Sequence, residues 1–338
     1  MPSGNKTLFY QNPIFRYNAD ILAVCIALSA VGIYLNGIFA LWQLIVCSVT
    51  AVLCEAISFK VVIKHNTVSD LSALTTGMII ALLLPVSAPL YVGISASAFA
   101  ILVAKLPFGD VRNTPFIPSA AGFCFAAMMF TDAVFTYPAV GSDFALFGSE
   151  GFVKGETLFD MLSKGNSLSL NVFGRASLLS GSYPGAIGTT SMLVLAGGFG
   201  YMAVKHPKRL CASLGYLCAA AVFAFLFPRV NTGRFSSVVM ELCAGSLIFT
   251  ALLLITDPVT SPRKPSRAFF YGLMGGSVCM LLRYFSKMPD TACFSILITN
   301  ALWPALTGET ILTKRTAEKY KKPLKKKREA DRRKAGAK

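Results

Sequence analysis

The chain consists largely of apolar blocks, each close to the ~20 residues that a helix needs to cross a bilayer. Ten blocks can be read, at 20–38, 39–59, 71–88, 89–104, 118–135, 188–204, 210–227, 236–256, 268–285 and 291–306. Only 14% of the residues are charged, whereas soluble domains contain about 25%. A backbone in lipid must satisfy its own hydrogen bonds, as a helix does. The sequence therefore predicts an all-α polytopic membrane protein with about ten transmembrane helices.

Basic residues between the blocks predict the orientation of the chain. With the N-terminus in the cytosol, all four internal cytosolic loops carry Lys or Arg, and the first two external loops carry none. Because cytoplasmic loops are enriched in Lys and Arg, we expect a bacterial inner-membrane protein with both termini in the cytosol. The net charge of +16 is concentrated in 314–338, which holds 13 Lys or Arg and 3 Asp or Glu. A tail that contacts anionic lipid headgroups explains this charge better than nucleic-acid binding does.

Two segments resemble each other and indicate an internal repeat. TGMIIALLLPVSAP at 76–89 and AGSLIFTALLLITDPVTSP at 244–262 are both apolar, have glycine as the second residue and end in proline. Two five-helix halves of opposite orientation would form an inverted repeat, with the working site at the repeat interface. Chance similarity between apolar helices is the alternative. The predicted organisation is a cytosolic segment at 1–19, a first five-helix repeat at 20–135, an extracytosolic loop at 136–187, a second five-helix repeat at 188–310 and a basic cytosolic tail at 311–338.

The extracytosolic loop is unusually long. Helix–helix connections in bundles usually contain about 2–8 residues, and this one is rich in Gly, Ser, Phe and Leu. We expect it to contain a small amphipathic element that lies on the membrane and carries function.

The segment TDPVTSP at 256–262 places the carboxylate of Asp257 and the hydroxyl of Thr260 at the end of the eighth block. A helix stop with a solvated cap is the simpler explanation. Arg283 ends the ninth block. Such an arginine either extends its charge to the interface or pairs with a phosphate or an electron-rich ring.

A glycine turn, YPGAIGTTSM at 183–192, leads into the sixth block. Free N–H groups at a helix start favour an anion such as phosphate, although an ordinary Ser/Thr cap explains the same residues. The proline-rich turn at 107–122 contains Asn113.

Among carboxylates in or beside apolar blocks, Glu55 and Asp132 lie near block ends, where they can reach water. Glu241 is the stronger candidate for ion handling, because intramembrane charges are costly. The chain has no catalytic triad, HExxH motif or CxxC pair.

Taken together, these stretches resemble the D subunit of Rnf electron-transport complexes and the related B subunit of the sodium-pumping NADH:quinone reductase. The resemblance spans roughly residues 70–310. It is carried by TDPVTSP at 256–262, LLRYFSKMPDTACFSILITNALWPAL at 281–306, PGAIGTTSML at 184–193 and SALTTGMIIALLLP at 72–85. Four motifs in the same order make it specific.

The resemblance implies an inverted repeat, FMN joined to a threonine of the long loop through a phosphoester, and a second, non-covalent flavin in the membrane, for which riboflavin is a candidate. It also implies partner flavoprotein and iron–sulfur subunits, and coupling to sodium or proton movement. The matching threonine is Thr157. The usual attachment motif, Ser-Gly-Ala-Thr, is replaced by Lys-Gly-Glu-Thr at 154–157, so the serine and the alanine are absent.

The sequence thus predicts the flavin-carrying membrane subunit of an Rnf-type electron-transfer complex, acting within a translocase rather than as an enzyme on its own. The candidate cofactor-binding residues are Thr157, Gly185, Gly188, Thr190, Ser191, Asn113, Asp257, Thr260 and Arg283. The candidates for ion coupling are Glu241 and Asp257. A permease or channel for a small solute, including a flavin, and a scaffold without a cofactor are the alternatives.

Overall fold

Helices form nearly all of the regular structure. The computed structural model describes residues 13–58, 71–108, 114–139, 153–163, 175–229, 233–286 and 288–308, and no strand longer than an isolated bridge lies among them. The first half contains α1 (Pro13–Asn36), α2 (Ile38–Ser58), α3 (Ser72–Leu83), α4 (Leu90–Phe99), α5 (Pro118–Met129) and α6 (Thr131–Val134). The rest contains α7 (Leu158–Ser163), α8 (Arg175–Ser180), α9 (Met192–Lys205), α10 (Leu210–Leu226), α11 (Arg234–Cys243), α12 (Leu247–Leu253), α13 (Pro265–Phe285) and α14 (Ala292–Thr307).

Each of the ten predicted apolar blocks contains a helix, but the helices differ in length. Four of those described are long and apolar enough to cross a membrane alone, and the pair α11 and α12, bent by 61°, makes a fifth if it is one span. The other five blocks contain apolar helices of 10–17 residues. The all-α architecture is therefore confirmed. Ten spans arranged as two inverted repeats stay a prediction.

Proline explains why α3 is short. Pro85 disfavours a helical conformation of the residue before it, and Leu84 is extended, with φ −81° and ψ 149°. The carbonyls freed there are used by the glycine turn that precedes α9. Gly188 N–H donates to Leu82 O at 2.8 Å, and Ile187 N–H donates to Leu84 O at 3.2 Å. A Cβ at Gly188 would lie 2.7 Å from Leu82 Cβ, so the close approach of these two segments requires glycine.

The closest helix packing is between α10 and α13. A Cβ at Gly272 would lie 1.9 Å from Ala212 O, and one at Gly215 would lie 2.1 Å from Phe269 O. Small residues let helix backbones touch in membranes, where packing rather than hydrophobic burial drives association. This contact holds α13 in place and thereby positions Arg283 at its end.

Candidate cofactor pocket

The long loop folds back on itself before it reaches Thr157. Ala139 N–H donates to Val153 O at 2.8 Å, and Gly155 N–H donates to Tyr137 O at 2.9 Å. The six-residue helix α7 follows at once. Its Leu158 and Leu162 pack against Met240 and Ala244 beside α11. The described part of the loop thus contains a small helix whose buried side chains pack on protein. That this element lies on the membrane and carries function stays a prediction.

Thr157 is buried and directly precedes α7. Its hydroxyl donates to Asp160 Oδ2 at 2.8 Å and accepts from Asp160 N–H at 3.1 Å, while its own N–H donates to Asp160 Oδ2 at 3.1 Å. These reciprocal bonds form a capping box, which satisfies donors that the first turn would leave free. The hydroxyl that the resemblance assigns to flavin attachment therefore has a structural role as well.

A pocket beside Thr157 brings together three separate parts of the chain. The loop contributes Tyr137 and Thr157, the glycine turn contributes Tyr183, Gly185 and Thr189, and the second half contributes Gly245 and Asp290. Its free interior is ≈ 20 Å³, which is about the space of one water molecule. The sequence predicted Thr157 and Gly185 as site residues, and the structure places them in one pocket.

Asp290 is a pocket residue that sequence reasoning missed. It is 2% exposed, and its Oδ1 accepts from the Ser246 hydroxyl at 2.8 Å and from Ala292 N–H at 3.2 Å. Burial raises the pKa of this carboxyl above its ordinary value, while the Ser246 hydroxyl, the Ala292 N–H and the Arg283 charge oppose that rise. The available signal was a Pro-Asp-Thr sequence directly before α14, which is typical of a helix start.

Arg283 lies behind the pocket and is 1% exposed. It donates to Glu241 O at 2.7 Å and to Ala244 O at 2.8 Å. These carbonyls are free because α11 ends at Cys243 and Gly245, with φ +64°, redirects the chain. Arg283 therefore holds the helix break that forms the pocket wall. The interpretation of Arg283 as a residue that extends to the interface is wrong, since protein groups surround it.

Glu241 lies between two guanidinium groups and is 1% exposed. Its Oε2 is 3.2 Å from Arg283 Nη1, and its Oε1 is 3.5 Å from Arg229 Nε. Arg229 also donates to Arg283 O at 2.7 Å and stacks 3.8 Å from the centroid of the Tyr284 ring. Both Glu241 oxygens thus face positive charge, while Glu241 Oε1 and Arg283 Nε have no hydrogen-bond partner among the described residues.

Three other predicted residues lie close to the pocket in sequence but do not line it. Gly188 packs against α3, and Thr190 and Ser191 are buried. Ser191 precedes α9, but its hydroxyl forms no capping hydrogen bond. A Cβ at Gly181 would lie 2.9 Å from Ser191 N, so this helix start is covered. The Ser/Thr-cap explanation is therefore not supported by a bond at Ser191.

Asp257 and Thr260 form a separate group at the far end of α13. Asp257 Oδ2 accepts from Val259 N–H and Thr260 N–H, each at 3.0 Å, and from the Thr260 hydroxyl at 3.2 Å. These bonds cap the turn, in agreement with the simpler explanation that Asp257 stops the preceding helix. Arg283 lies in the last turn of α13, so about 27 Å of helix separates it from this turn. Asn113 lies outside the described residues.

The structure changes one of two expectations about single residues and agrees with the other. Glu55 does not reach water: it is 5% exposed and paired with Lys105. Asp132 is exposed, as expected.

A model of the NQR2, RnfD, RnfE family matches residues 8–314 of the chain. The chain belongs to this family. Its apolar helices and its place in the NQR2, RnfD, RnfE family identify it as a membrane protein, and the resemblance drawn from the four motifs is confirmed.

Three relatives are similar along most of their length, and each is the D subunit of its complex. The chain is 28% identical over 287 residues to that of the Na(+)-translocating ferredoxin:NAD(+) oxidoreductase complex of Acetobacterium woodii, covering 85% of each chain. It is 28% identical over 316 residues to that of the ion-translocating oxidoreductase complex of Stutzerimonas stutzeri, covering 85% of this chain and 88% of the relative. It is 28% identical over 293 residues to that of the proton-translocating ferredoxin:NAD(+) oxidoreductase complex of Clostridium ljungdahlii, covering 84% and 87%.

Proposed function

We propose that this protein is the flavin-carrying membrane subunit of an Rnf-type electron-transfer complex in a bacterial inner membrane, with both termini in the cytosol. Relatives in this family are named as subunits of ion-translocating oxidoreductase complexes. Flavoprotein and iron–sulfur subunits are the proposed partners, and sodium or proton movement is the proposed coupled process. The observation that carries the flavin assignment is the pocket shared by Thr157 and the glycine turn.

The residues of this pocket fit the attachment end of an FMN. The Thr157 hydroxyl borders the pocket, and Gly185 and Gly245 place no side chain in it. The interior of ≈ 20 Å³ has no room for the ring system of a flavin. Two features oppose attachment. The carboxylate of Asp160 bonds to the same hydroxyl and would repel a phosphate, so the capping box would have to open for the phosphoester to form. The carboxyl of Asp290 also lines the pocket.

The chain's own residues position the site, while the bound flavin supplies one- and two-electron redox chemistry. Arg283 fixes the broken helix through the carbonyls of Glu241 and Ala244. Tyr183 adds a third bond there, donating to Cys243 O at 3.3 Å. Together these bonds hold Gly245 and the adjacent wall in a set geometry. Asp257 and Thr260 lie in the turn before the start of α13, at the end of that helix opposite Arg283. We propose that the second, non-covalent flavin or the ion-coupling step belongs there.

Flavin fluorescence on the denatured protein tests the proposal. The full chain is co-expressed with its flavin transferase and precipitated in acid, and the denatured band is examined for wild type and for Thr157→Ala. Thr189→Ala is the matched control, because Thr189 also borders the pocket. We expect fluorescence in wild type and in Thr189→Ala, and none in Thr157→Ala.

Each other result has a definite meaning. Loss of fluorescence in Thr189→Ala alone would move the anchor to that threonine. A dark wild-type band with flavin in the supernatant would leave a redox role that rests on non-covalent flavin. A dark band with a colourless supernatant would overturn the flavin assignment and favour a permease.

A further inference from the structure

A strongly basic surface lies where α9 ends and where α10 and α13 begin, at the end of α13 opposite the pocket. The two segments that form it, 205–209 and 262–267, contain no Asp or Glu. Their exposed basic residues are Lys205, Lys208, Arg263, Lys264 and Arg267, and the half-buried Arg209 adjoins them. Nothing in the proposed flavin role uses this concentration of charge.

Close helix packing brings the two basic segments side by side. A Cβ at Gly272 would lie 1.9 Å from Ala212 O, and one at Gly276 would lie 2.3 Å from Tyr216 O. Because the contacts advance by four residues along both helices, α10 and α13 run in the same direction. Extended towards the basic end, this register brings the starts of the two helices to within about one turn of each other.

Two carboxylates border the basic surface, and both have partners of their own. Asp20 accepts from the Tyr201 hydroxyl at 2.7 Å and lies 2.9 Å from His206 Nε2. Asp257 accepts from the backbone N–H groups of its own turn. Six basic residues thus stand against two carboxylates, and so the surface keeps a net positive charge.

Exposed apolar side chains on the same helices adjoin the basic residues. Val204, directly before Lys205, is 83% exposed, while Leu214 in the second turn of α10 and Phe270 in the second turn of α13 are 60% and 58% exposed. Positive charge followed within two turns by apolar surface matches a phospholipid, which has a phosphate headgroup above its acyl chains. An acidic protein surface would match the charge alone.

We propose that the basic surface is a binding site for an anionic phospholipid. Lys208 and Lys264 contact the phosphate, and the acyl chains lie over Leu214 and Phe270. The mobile point charge of a lysine suits a headgroup that moves within the plane of the membrane. Orientation of the chain explains an excess of basic residues in cytosolic loops, but it requires no preference for one class of lipid. Such a preference is what the site adds, and it is independent of flavin.

Thermal unfolding of the full chain in detergent, with one added lipid at a time, tests the site. The probes are phosphatidylglycerol, which is anionic, and phosphatidylcholine, which is zwitterionic, with the same acyl chains. We expect phosphatidylglycerol to raise the Tm of wild type by about 2–4 °C over phosphatidylcholine. Lys208→Gln/Lys264→Gln should lose this difference.

Lys154→Gln/Arg234→Gln is the matched control, because it removes two exposed basic residues away from the proposed site. Arg234 lies over the Phe225 ring, in the last turn of α10, and Lys154 belongs to the long loop. This control variant should keep the full difference between the two lipids.

The remaining outcomes overturn the proposal. Equal Tm values of wild type in the two lipids would mean that the surface has no lipid preference. A difference that persists in Lys208→Gln/Lys264→Gln, or that is lost in the control variant as well, would arise from charge in general. A Tm of Lys208→Gln/Lys264→Gln far below wild type in phosphatidylcholine would mean that the lysines bind within the protein.

Two water-soluble anions exclude other ligands. Inorganic phosphate that raises the Tm as much as phosphatidylglycerol does would mean a site for a free anion, and polyglutamate that does so would assign the surface to an acidic protein partner. We expect neither to raise it. None of these results depends on flavin, so a colourless protein would count against the proposed function and leave this test intact.

Discussion

Two buried ion pairs, one in each half of the chain, have different structural roles. Lys105 contacts the side chains of Glu55 and Ser72. Arg283 contacts the Glu241 side chain too, but its shorter bonds go to the backbone carbonyls of residues 241 and 244. The lysine therefore neutralises a carboxylate, whereas the arginine completes the hydrogen bonding of a broken helix.

The chemical difference between the two basic residues explains this division. Arg presents several donors in a rigid fork, which suits simultaneous contact with carbonyls and a carboxylate, and Lys is a single mobile charge. Arg229 adds a second positive charge on the other side of Glu241. Loss of charge is therefore the main consequence expected of replacing the lysine, and loss of hydrogen bonds to the backbone is the main consequence expected of replacing the arginine.

The largest expected effect comes from replacing each pair with neutral residues of similar shape. Glu55→Gln/Lys105→Met should unfold within a few degrees of wild type, because both charges are removed together. The free energy of unfolding of Glu241→Gln/Arg283→Met should fall by about 3 kcal/mol or more, because the carbonyl oxygens of residues 241 and 244 would stay buried without hydrogen-bond donors. Thermal unfolding of the full chain in detergent measures both.

Single substitutions sharpen this comparison. Arg283→Lys retains the charge, but one ammonium cannot reproduce the fork, so it should remain clearly less stable than wild type. Equal losses in the two neutral double variants would contradict the distinction, because they would mean that backbone capping by Arg283 contributes nothing beyond its pairing with Glu241.

A smaller effect is expected where α13, which carries Arg283, packs against α10. Gly272→Ala places a methyl group 1.9 Å from Ala212 O, so the helices must separate, at a cost of about 1–3 kcal/mol for overpacking. Gly197→Ala in α9 is the matched control, because nothing lies within 4 Å of its Cβ position. A fall in Tm for Gly272→Ala with none for Gly197→Ala is expected. Equal behaviour would mean that the α10–α13 contact relaxes freely.

The helices could be predicted from the sequence because they depend on local apolar length. Leu84 is extended because Pro85 follows it, and a proline in an apolar block is a local signal that indicates such a helix end. The resemblance proposed Thr157 and Gly185 as cofactor-binding residues, but the pocket that they share was not predicted, since nothing local to either residue encodes their contact.

The charged partners could not be predicted, because they depend on tertiary contacts. Glu55 and Lys105 are 50 positions apart, and so no local spacing relates them. The burial of Arg283 depends on which carbonyls the break at Gly245 leaves free. Asp290 reads as an ordinary helix-start residue until the fold places it in the pocket wall.

The smallest expected effect concerns the two roles of Thr157, in capping α7 and in proposed flavin attachment. Asp160→Ala removes the capping partner and keeps the hydroxyl, so the first turn of α7 should lose about 1 kcal/mol while flavin fluorescence is retained or increased. Thr157→Ser should keep the cap, and Thr157→Ala should lose both cap and fluorescence. Amide hydrogen exchange across 158–163 reports the cap separately from the fluorescence. If Asp160→Ala abolished fluorescence, the carboxylate would be needed to hold the hydroxyl for attachment, and the capping box would be part of the modification site rather than an obstacle to it.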